Sequence, residues 1–121
     1  MAIDEGLYAW VQETLEPLGR VTMRKMMGGA TLYLDGIVFA ILDEGEIWFK
    51  ADAETDAIWD AEGCERFSMT FKDGRVDTMN YRRAPSDVYD EPEAMQRWAK
   101  LALDAGLRGA AKKKPRKKPS C

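Results

Sequence analysis

Three two-residue turns that end in glycine constrain the fold of this sequence more than any other feature. Asp35-Gly36, Glu44-Gly45 and Asp73-Gly74 each separate short runs that are rich in β-branched and aromatic residues. A tight hairpin turn needs positive φ at both central positions, which glycine adopts freely and aspartate tolerates. Strands joined in this way run antiparallel, because parallel neighbours need a long crossover connection. The sequence therefore predicts an antiparallel sheet.

Helical periodicity is found before, between and after the predicted strands. Apolar residues recur at three- and four-residue spacing from Leu7 to Leu18, which predicts an amphipathic first helix. A shorter helix is expected between Asp52, as its capping residue, and Gly63, as its end. Pro92 opens a last helix whose apolar face is formed by Ala94, Trp98, Leu101 and Ala105. This order predicts an α+β fold, with an antiparallel sheet of five or six strands and an N-terminal, a middle and a C-terminal helix packed on it.

The chain has the size of one domain followed by a short basic segment. Its 121 residues, 45% of them hydrophobic, suffice for a single core, which we expect within residues 1–110. The net charge of -3 is unevenly distributed, because six of the 18 basic residues lie near the C-terminus. The rest of the chain has 12 basic and 21 acidic residues, which gives it a charge of -9. Residues 111–121 contain two prolines and no large apolar side chain, which predicts a disordered basic tail. The six basic residues are Lys112, Lys113, Lys114, Arg116, Lys117 and Lys118.

The sequence contains no histidine, which excludes Ser-His and Cys-His catalysis and every His-ligated metal. It also lacks a phosphate-binding loop and any spacing typical of a metal site. The acidic turn residues leave two interpretations open: a carboxylate pair for acid/base work or a hard cation, and hydrated turn residues, which we favour. These residues are Asp35, Asp43, Glu44 and Glu46. We therefore expect a protein that is not an enzyme and has no cofactor or metal.

The first residues, Met1 to Glu5, are acidic and hold no long apolar run. Signal peptides and membrane spans both need such a run, so neither is expected here. The sequence therefore predicts a cytoplasmic protein with no membrane partner.

A basic turn with two glycines is the first candidate binding site. Arg24 and Lys25 precede Gly28 and Gly29, whose backbone amides could form a nest for a phosphate or carboxylate. The alternative is that the glycines permit a tight reversal or a close approach to a neighbouring strand, while the two cations solvate a sheet edge. We favour this alternative, because no helix follows the glycines as it does in phosphate-binding loops.

Nucleic-acid contacts are the second candidate. Arg82 and Arg83 follow Tyr81 at a predicted strand end, where an aromatic ring beside two guanidinium groups could hold an anion. The basic residues between Lys112 and Lys118 would add salt-sensitive affinity for DNA or RNA, although a run of charge is often only solvated.

We interpret the tryptophans and methionines primarily as core residues. Their periodicity favours packing over exposed stacking or partner binding. They are Trp10, Trp48, Trp59 and Trp98, with Met23, Met26 and Met27 as a soft apolar cluster.

Several positions together give the sequence a family resemblance. The matching residues are Met26, Gly28, Gly29, Tyr33, Gly36, Phe39, Ala40, Lys50 and Asp52, then Gly63, Phe67, Met79, Tyr81 and Trp98. In this pattern the chain resembles the N-terminal domain of the TfoX/Sxy family of bacterial competence regulators. The resemblance implies an α+β fold similar to secretion chaperones. Met27 stands where the family is expected to have Phe.

Two functional hypotheses follow from these patterns. The first is a non-enzymatic regulatory or protein-interaction module of the TfoX N-terminal type, with an unidentified protein partner and self-association, for instance as a homodimer, through a strand edge or helix face. The second is an accessory nucleic-acid-binding protein that uses the Lys/Arg-rich tail. In both hypotheses Lys50 and Asp52 have a structural role. They form a local ion pair, and Asp52 also caps the next helix.

Overall fold

The computed structural model describes residues 5–26 and 29–117, without the side chains of Met26, Met69 and residues 112–117. It contains three α-helices and one six-stranded antiparallel sheet, so the predicted α+β class is confirmed. A 3₁₀ turn, Ser86–Tyr89, precedes the last helix. The helices are α1 (Glu5–Leu15), α2 (Asp56–Ala61) and α3 (Pro92–Lys117). The strands are β1 (Val21–Met26), β2 (Gly29–Leu34), β3 (Ile37–Asp43), β4 (Glu46–Lys50), β5 (Arg66–Thr70) and β6 (Val76–Arg83).

Two of the predicted turns have the expected conformation at both positions. The third, Asp73-Gly74, lies within a longer connection, residues 71–75 between β5 and β6, in which Asp73 does not have positive φ. Asp35 and Gly36 have φ of 50° and 86°, and Glu44 and Gly45 have 51° and 77°. Gly74 also has positive φ, at 89°, between β5 and β6. The spatial order is β1-β2-β3-β4-β6-β5, so β1 and β5 form the two edges of the sheet.

The two faces of the sheet are packed differently. One face carries Leu32, Ala40 and Phe49 in register, and these residues belong to the main core together with residues of all three helices. The opposite face carries a smaller cluster to which, in the described part of the chain, only strand residues contribute. Its members are Ile41, Trp48, Phe67, Tyr81 and Met79.

The tryptophans lie where the periodicity predicts. Trp59 and Trp98 are buried in the main core with their ring centroids 5.0 Å apart, and Trp48 is buried in the smaller cluster. Trp10 is half-buried and donates its indole N–H to the carbonyl oxygen of Val88 at 2.8 Å.

The middle helix differs in detail from its prediction. Its N-cap residue is Thr55 and not Asp52. Asp52 instead closes the preceding turn, because its backbone N–H donates to the Thr55 hydroxyl at 3.0 Å while the Thr55 N–H donates to the Asp52 carboxylate at 3.2 Å. Gly63, with φ of 74°, follows the end of the helix as expected.

The last helix begins at Pro92, as predicted, but continues to Lys117. The backbone of residues 111–117 is therefore helical where the sequence pattern predicts disorder. Alanine and lysine are among the strongest helix formers, and Ala110 to Lys114 consists of these two residue types alone. A domain boundary at residue 110 stays a prediction.

Gly106 sets the distance between α3 and the sheet. It is buried, and a Cβ built at this position would overlap the carbonyl oxygen of Val38 on β3. Only a residue without a side chain permits such a close approach of two backbones.

Candidate functional site

The basic turn is only partly described. Arg24 and Lys25 are exposed on the edge strand β1, and Gly29 begins β2. A Cβ at Gly29 would overlap the carbonyl oxygen of Leu42, so close approach to β3 accounts for this glycine. Gly28 lies outside the described residues. Anion binding at this turn stays a prediction.

Arg82 is not available to a nucleic acid, which corrects one sequence-based contact. Its side chain is 2% exposed, and its guanidinium donates to Asp60 at 2.7 Å and to Asp56 at 3.1 Å. It also donates to the carbonyl oxygen of Cys64 at 3.1 Å. Arg82 therefore joins β6 to α2 inside the fold. The sequence contains a signal for this pairing, because Asp56 and Asp60 are four residues apart and share one face of a helix.

Arg83 points to the opposite face of the sheet. Its guanidinium pairs with Glu46 at 3.1 Å and with Glu65 at 3.3 Å, and it lies over the Trp48 ring, 4.9 Å from the centroid. The side chain is 43% exposed. Two carboxylates already compensate this charge, so a nucleic-acid contact at Arg83 stays a prediction.

The C-terminal basic residues are described only by their backbone. Residues 112–117 belong to α3, and Lys118 lies outside the described residues. Contacts of Lys112, Lys113, Lys114, Arg116, Lys117 and Lys118 with nucleic acid stay predictions.

The acidic β3–β4 turn brings Asp43, Glu44 and Glu46 together. Burial raises the pKa of Asp43, and the neighbouring charges of Glu44 and Glu46 raise it further. Within residues 5–26 and 29–117, no three acidic or cysteine side chains are placed to hold a metal ion.

Asp52 and α3 are connected by an ion pair that local sequence does not reveal. The Arg108 guanidinium donates to both carboxylate oxygens of Asp52, from Nε at 2.6 Å and from Nη2 at 2.9 Å. The hydrogen bond from Arg108 lowers the pKa of Asp52. The partner of Asp52 is thus a residue of the last helix, 56 positions away, and not only its neighbour Thr55.

One concave surface of the described residues lies between α2 and α3. We call it the α2–α3 groove, and its volume is about 280 Å³. Ile58 of α2 lines it and is 45% exposed. Trp98 is 5% exposed and carries the Arg97 guanidinium 4.9 Å from its ring centroid. The residues of the groove are Ile58, Glu62, Arg97, Trp98 and Leu101.

The described residues form an α+β domain with helices packed on an antiparallel sheet, a groove between α2 and α3, and no group of three acidic or cysteine side chains placed to hold a metal ion. The family model described as TfoX N-terminal domain matches residues 13–106. The chain therefore belongs to the TfoX N-terminal domain family, as the sequence resemblance indicated.

Two curated relatives extend this result. Protein Sxy of Escherichia coli (strain K12) is 31% identical over 101 residues, which is 80% of this chain and 46% of that protein. DNA transformation protein TfoX1 of Aliivibrio fischeri is 33% identical over 79 residues, which is 65% of this chain and 35% of that protein. The chain thus spans less than half the length of each relative.

Among the described residues, no helix combines the length and apolar character that a membrane crossing requires.

Replacing Arg82 by alanine should destabilise the protein far more than the same change at Arg83. Arg82→Ala removes hydrogen bonds from a buried guanidinium to two carboxylates, and we expect a loss of about 1.5–3 kcal/mol in the free energy of unfolding. Arg83→Ala removes half-exposed pairs and should cost about 0–1 kcal/mol. Urea denaturation of both variants measures the difference, and equal losses would contradict the assigned roles.

The Asp52–Arg108 pair should make stability depend on pH. Because the pKa of Asp52 is lowered on folding, its stabilisation is complete above the ordinary aspartate value of 3.8 and is lost as the pH falls through the lower folded value. Asp52→Asn should therefore be less stable than the wild type at neutral pH. The difference in the free energy of unfolding between the two proteins should shrink as the pH falls below 3.8, and urea denaturation across the acid range measures it. A difference that does not change with pH would contradict the proposed contribution of Asp52.

Proposed function

We propose that this chain is a non-enzymatic protein-interaction module of a regulatory system and that the α2–α3 groove contacts its partner. The observation that carries this proposal is the exposure of Ile58 beside Leu101 and Trp98 in one concave surface. Membership in the TfoX N-terminal domain family supports a regulatory role. The match to the relative named DNA transformation protein TfoX1 also supports this role.

The groove has the composition of a small interface. Its apolar residues would accept one or two apolar side chains of the partner, and tryptophan and arginine are the residue types most enriched where binding energy concentrates. Arg97 and Glu62 place opposite charges at its rim. Along the outer face of α3 the surface continues past Lys100 and Asp104, again of opposite sign. A fitting partner is a protein segment with an apolar anchor between charged residues of both signs.

The absence of histidine supports the non-enzymatic part of the proposal, since it removes the commonest general base and nucleophile activator. The buried thiol of Cys64 does not offset this, because burial raises its pKa and leaves less of the nucleophilic thiolate.

The alternative is an accessory nucleic-acid-binding protein that acts through residues 112–118. Six basic residues within seven positions favour it. The acidic remainder of the chain opposes it, because a charge of -9 repels polyphosphates outside the basic segment.

Ile58→Glu should strongly reduce partner capture, whereas Val76→Glu should not. Both residues are exposed aliphatics, 45% and 61% accessible, but only Ile58 lines the groove. Neither change should alter stability by more than about 0.5–1 kcal/mol. Tagged wild type and variants are purified from the host cell, and copurifying proteins are quantified by mass spectrometry. We expect at least about a tenfold loss for Ile58→Glu, which corresponds to about 1.4 kcal/mol.

Partners retained by Ile58→Glu, or lost equally with Val76→Glu, would exclude the groove as the interface. Sedimentation velocity of the same three proteins distinguishes a second copy of the chain as the occupant. In that case the wild type would be a dimer and Ile58→Glu a monomer.

The nucleic-acid alternative predicts a salt-dependent signal that disappears with the tail. Anisotropy of labelled duplex DNA is measured with the full chain and with a truncation after Ala111, at several salt concentrations. If all six basic residues neutralise phosphates, log affinity should fall with log salt at a slope of about -5. Equal affinities of both proteins, or no binding at moderate salt, would eliminate the tail as a nucleic-acid site.

A further inference from the structure

The strand β5 has an open side in the part of the chain that the structure describes. It is the last strand of the sheet, with β6 on its inner side. Ser68 and Thr70 of β5 are exposed. An open strand presents unpaired N–H and C=O groups, which are a template for pairing with a further strand. The outer side of β5 is therefore a candidate interaction surface, which we call the β5 edge.

Two hydrogen bonds show which backbone groups face away from β6. The carbonyl oxygen of Glu65 accepts from the Arg83 N–H at 2.9 Å. The Phe71 N–H donates to the carbonyl oxygen of Arg75 at 2.8 Å. Successive residues of an antiparallel strand direct their backbone groups to alternate sides, so the odd-numbered residues of β5 face β6 and the even-numbered ones face outward. The residues with outward N–H and C=O groups are Arg66, Ser68 and Thr70.

The two edge strands of the sheet differ in their protection against pairing. On β1, Arg24 and Lys25 are exposed, and charged side chains on an edge strand oppose the addition of another strand. Residues 67–70 of β5 include no charged residue and no proline. The guanidinium of Arg66, at the start of β5, donates to the side-chain oxygen of Asn80 on β6 at 2.8 Å. The β5 edge is therefore the less protected of the two.

β5 and the first half of β6 extend beyond the other strands as a two-stranded ribbon. β4 pairs with β6 at residues 81–83, whereas β5 pairs with β6 from Val76 onward. Residues 76–78 are all exposed, and because neighbouring residues of a strand point to opposite faces, both faces of the ribbon are open. Two strands alone are marginally stable, and three or more are needed for an independent sheet. A further strand at the β5 edge would stabilise the ribbon.

We propose that the β5 edge binds the β5 edge of a second copy of this chain, antiparallel and around a twofold axis at Ser68. Ser68 is the central residue of β5, and its outward N–H and C=O would bond to the same groups in the other copy. Thr70 of each copy would lie opposite Arg66 of the other. No like charges then lie opposite each other within β5, which is the condition for favourable cross-strand pairs.

A second copy fits this edge because β5 is complementary to itself. Two β5 strands related by a twofold axis are antiparallel, as are all neighbours in this sheet. The axis places the two bodies on opposite sides of the joined strands, and each ribbon becomes half of a four-stranded unit. An interface of one strand from each copy is smaller than that of a stable complex, so the dimer should form reversibly as the concentration rises.

Sedimentation velocity over a range of concentrations measures this association. The full chain should change from monomer toward dimer as its concentration rises. Ser68→Lys places two ammonium groups opposite each other and should raise the dissociation constant of the dimer at least about tenfold. Thr22→Lys is the matched control, because it adds the same charge at an exposed residue of the other edge strand, β1, and should leave the constant unchanged.

A full chain that stays monomeric at every concentration would overturn the proposal, and so would equal dissociation constants for the two lysine variants. The proposal does not depend on the α2–α3 groove, and Ile58→Glu separates the two surfaces. This variant should still form the dimer if the copies meet at the β5 edge. A monomeric Ile58→Glu would place the contact between copies in the groove and would overturn the β5 pairing.

Amide hydrogen exchange of the wild type locates the contact without a variant, and it decides the proposal if Ser68→Lys does not fold. The N–H groups of Ser68 and Thr70 face away from β6, so they should exchange more slowly at high than at low protein concentration. The amides of β1 should exchange at the same rates at both concentrations. Slower exchange in β1, α2 or α3 without any change in β5 would contradict the proposal.

Discussion

The close approach of α3 to the sheet at Gly106 is the constraint on which the rest of this structure depends. The helix lies against the Val38 carbonyl with no side chain between them, and this places Met95, Trp98 and Ala102 in the main core. Packed interiors tolerate little change in volume, so a larger distance between α3 and β3 would disturb the packing of the whole helix.

The same helix forms one wall of two concave surfaces. Near its start, Trp98 and Leu101 face Ile58 of α2 across the α2–α3 groove. Two turns later, Gly106 and Gly109 line a second concave surface together with residues of β2 and β3. The position of α3 on the sheet therefore determines the shape of both surfaces.

The parts of the fold that the sequence predicts are those with local causes. Asp35-Gly36 requires positive φ whatever surrounds it, and Pro92 begins a helix because its missing N–H costs nothing there. The sequence predicts an accessible Arg82, whereas the side chain is buried. Its burial depends on Asp56 and Asp60 of α2, which are distant in sequence. The Asp52–Arg108 pair has no local signal at all, since only the tertiary fold brings the two residues together.

Matched alanine substitutions at the two glycines of α3 test this account most directly. Gly106→Ala forces a side chain into the Val38 carbonyl and should destabilise the protein by about 1–3 kcal/mol. Gly109→Ala meets only ordinary contact and should stabilise it by up to about 1 kcal/mol through helix propensity. Urea denaturation of both variants measures these changes. Opposite signs would support α3 packed flush on the sheet, and equal effects at the two positions would contradict it.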